Sequence, residues 1–406
     1  MSLIAILDVR GIDPERLATQ VAGLSLLERN FRLARVCGAK SVYLLGAENL
    51  AIVVDSFRGD TARFGTLEVL PKDTSDLLST ETTDLVLLLK GDTVFERHLL
   101  LDVLRSGTVD VVDKDHRFAL LHPTKVEKGF ADSSLEQLSR REGEGFSSFQ
   151  APNRWTVPIT EAADVAKVED LLFEGCRKAQ DGIVSRYLNR HISLFLSRRL
   201  VSTFIRPNHI SALTFTLGFL AAFAALYGHF EGFLLAGIIY QVNSIIDGVD
   251  GEIARVRYEF SVLGEWLDTI SDDLSDFLFY LGLGFGAYRT AGAPPFFESP
   301  MIWMLLGLLA ALGKLLSVIV YYRWLIAAGR GDLLAFQWSF ENPEKTASLL
   351  TRVLGLTKYL FRKDFIVFAA MVAAIAGALP YLLFALAPGN LIVAVSVAAE
   401  SMKKSS

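Results

Sequence analysis

The chain has 406 residues, 51% hydrophobic and 21% charged, with a formal net charge of −5. That apolarity excludes a disordered or fibrous protein and exceeds what a soluble enzyme of this length carries. The acidic balance argues against nucleic acid as the main partner. Residues 1–180 hold 28 acids and 22 bases, the remainder 17 and 18, and long apolar runs begin near Ile210. A soluble head on a membrane body is the expectation. The two cysteines, Cys37 and Cys176, are too few for a disulfide framework, so a reducing cytosolic setting is expected for the head. The first residues lack the basic start and long apolar core of a signal peptide.

In the head, the runs Ile4–Val9, Ser41–Leu45 and Leu85–Leu89 predict buried strands. Leu26–Cys37 predicts a helix with Leu27, Phe31 and Ala34 on one stripe, and Val165–Lys178 a second, capped by Thr160 or Asp164. Alternating strands and helices predict a parallel, doubly wound, Rossmann-like α/β layer.

Gly23-Leu24-Ser25-Leu26-Leu27-Glu28-Arg29, followed by Gly38-Ala39-Lys40, resembles the segment after the phosphate loop of sugar-phosphate nucleotidyltransferases. Lys90-Gly91-Asp92-Thr93-Val94-Phe95 resembles the place where that family holds a metal-binding aspartate, although Asp92 reads equally as a strand-end turn residue. The family's glycine-rich loop and its lysine are missing: the first strand runs into Asp8-Val9-Arg10-Gly11-Ile12-Asp13-Pro14-Glu15-Arg16. Acids at Asp8, Asp13 and Glu15 would repel a triphosphate. A nucleotidyltransferase-like but catalytically silent head is therefore expected, and His98, His116 and His122 read as ordinary head residues.

Residues 181–206 predict a basic amphipathic helix at the headgroup layer. Val184, Tyr187, Leu188, Ile192, Phe195 and Leu196 fall on one face, and Arg186, Asn189, Arg190, Ser193, Arg198 and Arg199 on the other. Pro207-Asn208 opens the membrane domain, 207–406. Apolar stretches Ile210–Phe230, Phe233–Ile253, Val262–Tyr288 and Met301–Leu325 each predict one span. Asp364–Met402 predicts two, broken at Gly377–Pro380 or Pro388–Gly389. Six spans put the basic loops, both termini and the intervening loop with Asn342-Pro343 and an amphipathic Ala347–Leu360 on the cytosolic side of an inner membrane.

The densest signal crosses the second and third spans: Asp247-Gly248-Val249-Asp250-Gly251-Glu252-Ile253-Ala254-Arg255, then Gly264-Glu265-Trp266-Leu267-Asp268-Thr269-Ile270-Ser271-Asp272. Asp247 and Asp250 share a helix face, as do Asp268 and Asp272, and a tight turn between antiparallel helices can bring the faces together. Four carboxylates at a bilayer edge cannot all stay ionised and unpaired. Two bridged divalent cations neutralise them, and hard oxygen ligands suit Mg²⁺, Mn²⁺ or Ca²⁺. Gly251, Ala254 and Gly264 remove bulk where a ligand or partner helix would approach.

The pattern D-x-x-D-G-x-x-A-R-x8-G-x-x-x-D-x-x-x-D resembles the signature of the CDP-alcohol phosphotransferase family at every position, and the resemblance runs from Asp181 to the C-terminus. With its head, the chain looks like the fused members that make di-myo-inositol phosphate phosphate from CDP-inositol. The resemblance implies that Asp247, Asp250 and Asp268 bind metals gripping a diphosphate. Asp272 would bridge a metal and act as general base, and Gly251, Ala254, Arg255 and Gly264 would shape the CMP pocket. It further implies a CDP-alcohol donor (CDP-diacylglycerol or a CDP-polyol), an alcohol or polyol-phosphate acceptor, and a homodimer.

Asp276 lies one turn deeper than Asp272, beside Asp273. Lys314, midway along the fourth span, would pair with Asp276, hold an acceptor phosphate or snorkel. Arg323, Arg362 and Lys363 would bind an anionic acceptor or anchor at the interface. Two other functions stay open at this level: a bifunctional chain whose head makes the CDP-alcohol, and a cation transporter.

Overall fold

The computed structural model describes residues 2–46, 67–69, 84–123, 126, 147–149, 153–178, 181–328 and 362–405. The expectations for Asn342-Pro343 and for 347–360, with Arg330, Arg352 and Lys358, lie outside those residues. The chain divides into two units, Met1–Gly175 with Val256–Tyr258, and Cys176–Arg255 with Glu259–Ser406.

Among the described residues the first unit has eleven strands: β1 Leu3–Asp8, β2 Gln20–Val21, β3 Leu24–Ser25, β4 Ala39–Leu45, β5 Leu67–Val69, β6 Leu85–Lys90, β7 Thr93–Phe95, β8 Val111–Asp113, β9 Phe118–Leu121, β10 Ser147–Phe149 and β11 Thr156–Pro158. Seven form one sheet in the order β10-β8-β9-β6-β1-β4-β5. β1 sits between β4 and β6, parallel to both, with Ala5 opposite Val42 and Leu87. All six residues of β1 are buried, as befits a central strand with parallel neighbours on both sides. The sheet is not parallel throughout, however. β9 runs antiparallel to β6 and β8 and pairs Ala119 with Leu88, while the other six described strands of the sheet share one direction, so the parallel expectation fails at β9 alone. A short return strand after Asp115–Arg117 needs no crossover helix, which is why the alternation of elements did not reveal it.

The described residues of this unit also form helices α1 (Pro14–Leu17), α2 (Leu26–Val36), α3 (Arg97–Arg105) and α4 (Ala162–Glu174). Ser25 caps α2, its hydroxyl accepting from the Glu28 N–H at 3.2 Å. Ala22 and Gly23, both at positive φ, turn the β2–β3 hairpin. α4 starts earlier than its periodicity suggested: Glu161 is the N-cap, and Asp164 reaches back to accept from Thr160 and Glu161 N–H groups. Buried Asn30 donates to the carbonyls of Gly91 and Thr93, fixing α2 against the β6–β7 turn. Arg29, fully buried, donates to the carbonyls of Val21 and Val256.

The second unit opens with one π turn, Ser185–Asn189, and α5 (Arg190–Leu200). Then come α6 (Pro207–Tyr227), α7 (His229–Arg257), α8 (Val262–Thr290), α9 (Met301–Ala328), α10 (Lys363–Ile375), a 3-10 turn at Leu379–Leu382 and α11 (Leu383–Ser405). Among the described residues four helical stretches are long and apolar enough to cross a membrane: Pro207–Tyr227, His229–Arg257, Met301–Trp324 and Leu379–Ala399. The six-span count does not follow from length and apolarity. α8 carries too many carboxylates, and α10, at 13 residues, rises only about 20 Å. The break in the last stretch falls at Gly377, where φ is +69°, while Pro388 is accommodated inside α11.

Small residues let these helices touch. A side chain at Gly282 or Gly286 of α8 would collide with the carbonyls of Ala222 and Ala225 of α6, and Gly284 meets Gly307 of α9 backbone to backbone.

Candidate active site

α5 uses its two faces in a way the sequence left open. Tyr187 and Phe195 are 72% and 54% exposed, whereas Asn189, Arg190, Ser193 and Ser197 are buried. Arg186, Arg198 and Arg199 of the polar stripe and much of the apolar stripe are exposed, while the buried part of the polar stripe grips α7. Its anchor is Glu252, fully buried, which accepts from Arg190 Nη1 (2.6 Å), Ser193 Oγ (2.7 Å) and Ser197 Oγ (2.6 Å). Arg190 also binds Asp181 at 3.0 Å. Burial works against charge on Asp181, but the Arg190 guanidinium and the Lys178 N–H hold its carboxyl below the usual range. Burial likewise raises the Cys176 thiol.

α7 and α8 are joined by a turn in which Tyr258 takes φ +56° and the Ser261 hydroxyl accepts from Gly264 N–H at 2.9 Å. That reversal brings the two acid faces together. Carboxylate oxygens of Asp247, Asp268 and Asp272 lie within 4.8 Å of one another. Asp247 Oδ1 is buried and accepts no hydrogen bond. An orphaned carboxylate oxygen on Asp247 beside two further carboxylates fits a hard divalent cation, which would supply the positive partner that this oxygen lacks. Asp250 is set apart from the three. Its Oδ2 accepts from Ser211 at 2.7 Å and its Oδ1 from the Gly251 N–H.

Lys363 Nζ lies 2.7 Å from Asp272 Oδ2. One turn deeper the acids are fully engaged. Lys314 Nζ stands 2.9 Å from both Asp273 and Asp276, Tyr322 donates to Asp273 at 2.9 Å, and Tyr240 donates to Asp276. Lys314 thus takes the pairing with Asp276 that its position suggested. Arg323 is exposed near the end of α9, and Arg362 lies 3.8 Å from Asp364.

At Gly251 the nearest atoms to an added Cβ all belong to Arg255, at 3.2 Å and beyond. At Gly264 they are the Ser261 hydroxyl and Asn208. Neither glycine is kept by a helix backbone pressing on it, unlike Gly282 or Gly284. Ala254 is half-buried, and its carbonyl accepts from Glu259 N–H at 2.8 Å. Beside Asp247 opens a cavity of about 200 Å³ whose walls include Ser185, Asn189, Ser244, Arg190, Arg362 and Lys363.

Residues 204–399, which include both acid-bearing helices and the turn between them, match the family model for CDP-alcohol phosphatidyltransferase. The helical unit carries a CDP-alcohol phosphotransferase domain. A bifunctional IPC transferase and DIPP synthase of Thermococcus kodakarensis is 42% identical to the chain over 142 residues, 35% of this chain and 29% of that protein. An archaetidylinositol phosphate synthase of Pyrococcus horikoshii is 32% identical over 91 residues, 22% of this chain and 47% of that one. The chain thus spans less than half the length of these curated relatives. HddC of Yersinia pseudotuberculosis overlaps 42% of this chain and 99% of its own at 13% identity, with a TM-score of 0.32, too slight an overlap to argue from.

Two features of the site escaped sequence reading. Glu252 sits inside the acid motif at a position the signature leaves free, and Ser211 lies in an apolar run. Nothing in their spacing marks them; each is defined by a partner on another helix.

In the head, the acids after β1 have local partners. Asp8 accepts from Arg10 Nε and Nη2, both at 2.8 Å, and Asp13 caps α1 by accepting from Glu15 N–H at 2.9 Å. Asp92 is buried beside the Thr93 hydroxyl at 3.1 Å.

Proposed function

We propose that the chain transfers a phospho-alcohol from a CDP-alcohol to the hydroxyl of a second alcohol and releases CMP. The convergence of Asp247, Asp268 and Asp272, with an unpartnered oxygen on Asp247, carries this reading. These residues would hold two divalent cations, Mg²⁺ or Mn²⁺, with Asp250 completing the set. The ions would supply charge neutralisation on the diphosphate. The local charge supports two: six carboxylates (Asp247, Asp250, Asp268, Asp272, Asp273, Asp276) face the ammonium groups of Lys314 and Lys363, leaving four negative charges.

Asp272 takes the proton from the acceptor hydroxyl, whose oxygen attacks the phosphorus as the bond to CMP breaks. Gly251, Ala254, Arg255 and Gly264 leave room for the cytidine end. The cavity beside Asp247 offers hydroxyl and amide groups for a polyol and Arg362 for its phosphate; Lys314, held by two carboxylates, would serve the acceptor only through them, and Arg323 would meet it at the rim. Relatives named for archaetidylinositol phosphate synthesis favour an inositol phosphate as acceptor or an inositol moiety in the donor. Six spans, with α8 and α10 crossing alongside the four apolar helices, would put this site and both termini on the cytosolic side of the inner membrane, and a homodimer is the assembly the family suggests. Purified protein given a panel of CDP-alcohols and acceptors with Mn²⁺ should release CMP, and Asp272→Asn should not. Near-normal turnover by that variant would remove Asp272 as base.

A second reading rests on the name of the Thermococcus relative, which is bifunctional. The Arg10 clamp on Asp8 favours a silent head. Pyrophosphate release by the full chain from CTP and inositol phosphate would instead establish the bifunctional form.

A further inference from the structure

We propose that Lys363 is the counter-ion of the acid cluster before metal binds and part of an anion-binding wall afterwards, so that divalent cations and a phosphate-bearing acceptor bind with positive coupling. This rests on the metal reading above. Lys363 Nζ lies 2.7 Å from Asp272 Oδ2 and 3.9 Å from Asp276 Oδ1, so one ammonium serves a metal-ligand carboxylate and a deeper one. The same side chain lines the 200 Å³ cavity, together with Arg190 and Arg362.

The cations in that wall differ in what competes for their partners. Arg190 is committed to Asp181 and Glu252, neither of which belongs to the acid group, and Arg362 lies near Asp364. Lys363 is paired with a carboxylate that a divalent ion also needs. A divalent charge among Asp247, Asp268 and Asp272 repels the ammonium and takes over its partner. Asp276 does not hold Lys363 in place, because it is already satisfied by Lys314 and Tyr240. Lysine's long flexible stem, with the side chain one-third exposed, lets the ammonium swing toward the cavity. The acids of that wall, Asp181 and Asp364, already have Arg190 and Arg362 beside them, so there its charge is answered only when an anion arrives. Metal arrival therefore prepares the anion site, and by linkage an anion tightens metal binding by the same factor.

Calorimetric titration of chelator-treated, full-length protein with Mn²⁺, with and without inorganic phosphate, tests this. In the wild type, phosphate should tighten Mn²⁺ binding about fivefold or more. Lys363→Met should bind Mn²⁺ more tightly than wild type without phosphate, because no cation must be evicted, and should lose most of the phosphate effect. Lys363→Arg should retain the effect, and Lys363→Gln substitutes for the methionine variant if that chain does not fold. Mn²⁺ binding that is equal or weaker in the uncharged variant, with the phosphate effect intact, overturns the coupling while leaving the metal site standing. Absence of Mn²⁺ binding in every chain overturns both.

Discussion

Two groups of acids lie along one helix, α8, and the protein treats them in opposite ways. Asp273 and Asp276 are closed: one lysine and two tyrosines from other helices answer them. Asp268 and Asp272, with Asp247 across the turn, are open, answered among the described residues by one lysine, Lys363. Burying a carboxylate costs free energy that a fixed partner offsets. Where no fixed partner is built, the cost persists until a ligand arrives, and that residual charge is what a cation-dependent site requires. The closed group is a strut; the open group is a receptor.

The largest effect that tests this contrast is on turnover. Asp268→Asn and Asp272→Asn should each lower CMP release by about a thousandfold or more with little change in thermal midpoint. Asp276→Asn should instead lose about 3 kcal/mol of stability, because it leaves Lys314 poorly paired in a buried site. Scanning fluorimetry in detergent beside the CMP assay separates the two outcomes, and a thousandfold turnover loss at unchanged stability in Asp276→Asn would dissolve the distinction.

Next in size is the response to metal. Mn²⁺ should raise the thermal midpoint of the wild type and of Lys314→Met by similar increments, since Lys314 answers only the closed group, and should leave Asp247→Asn/Asp272→Asn unmoved. A smaller effect concerns the Glu252 anchor. Asp181 has a depressed carboxyl pKa, so its contribution is present above the unfolded value near 4 and is lost as pH falls through the lower folded value. Amide exchange over 185–200 should therefore quicken only under strongly acidic conditions; quickening already at pH 6 would point to another group. Least in magnitude is thiol reactivity. Burial pushes Cys37 up to about 12 and raises Cys176 as well, so iodoacetamide at pH 8 should modify neither until urea is added.

Much of the head was visible as local pattern. Leu3–Asp8, Ala39–Leu45 and Leu85–Lys90 are strands near the predicted bounds because uninterrupted apolar runs with turn residues behind them have few other fates. The antiparallel β9 was not visible, since Phe118–Leu121 is too short to carry a direction. On α5 and the turn before it, periodicity marked a polar and an apolar stripe, yet the polar one divides into exposed arginines and a part buried on Glu252, a residue distant in the chain.

The acid spacing, the turn between α7 and α8 and the apolar helices are local properties, and the order of amino acids alone determined them through helical periodicity and the length needed to cross lipid. Which acids are answered and which left open was decided by residues that meet only when the helices pack. Lys314 is 38 positions from Asp276, and Ser211 is 39 from Asp250. Charge balance in a buried site is a sum over neighbours in space, and a linear sequence does not state who those neighbours are.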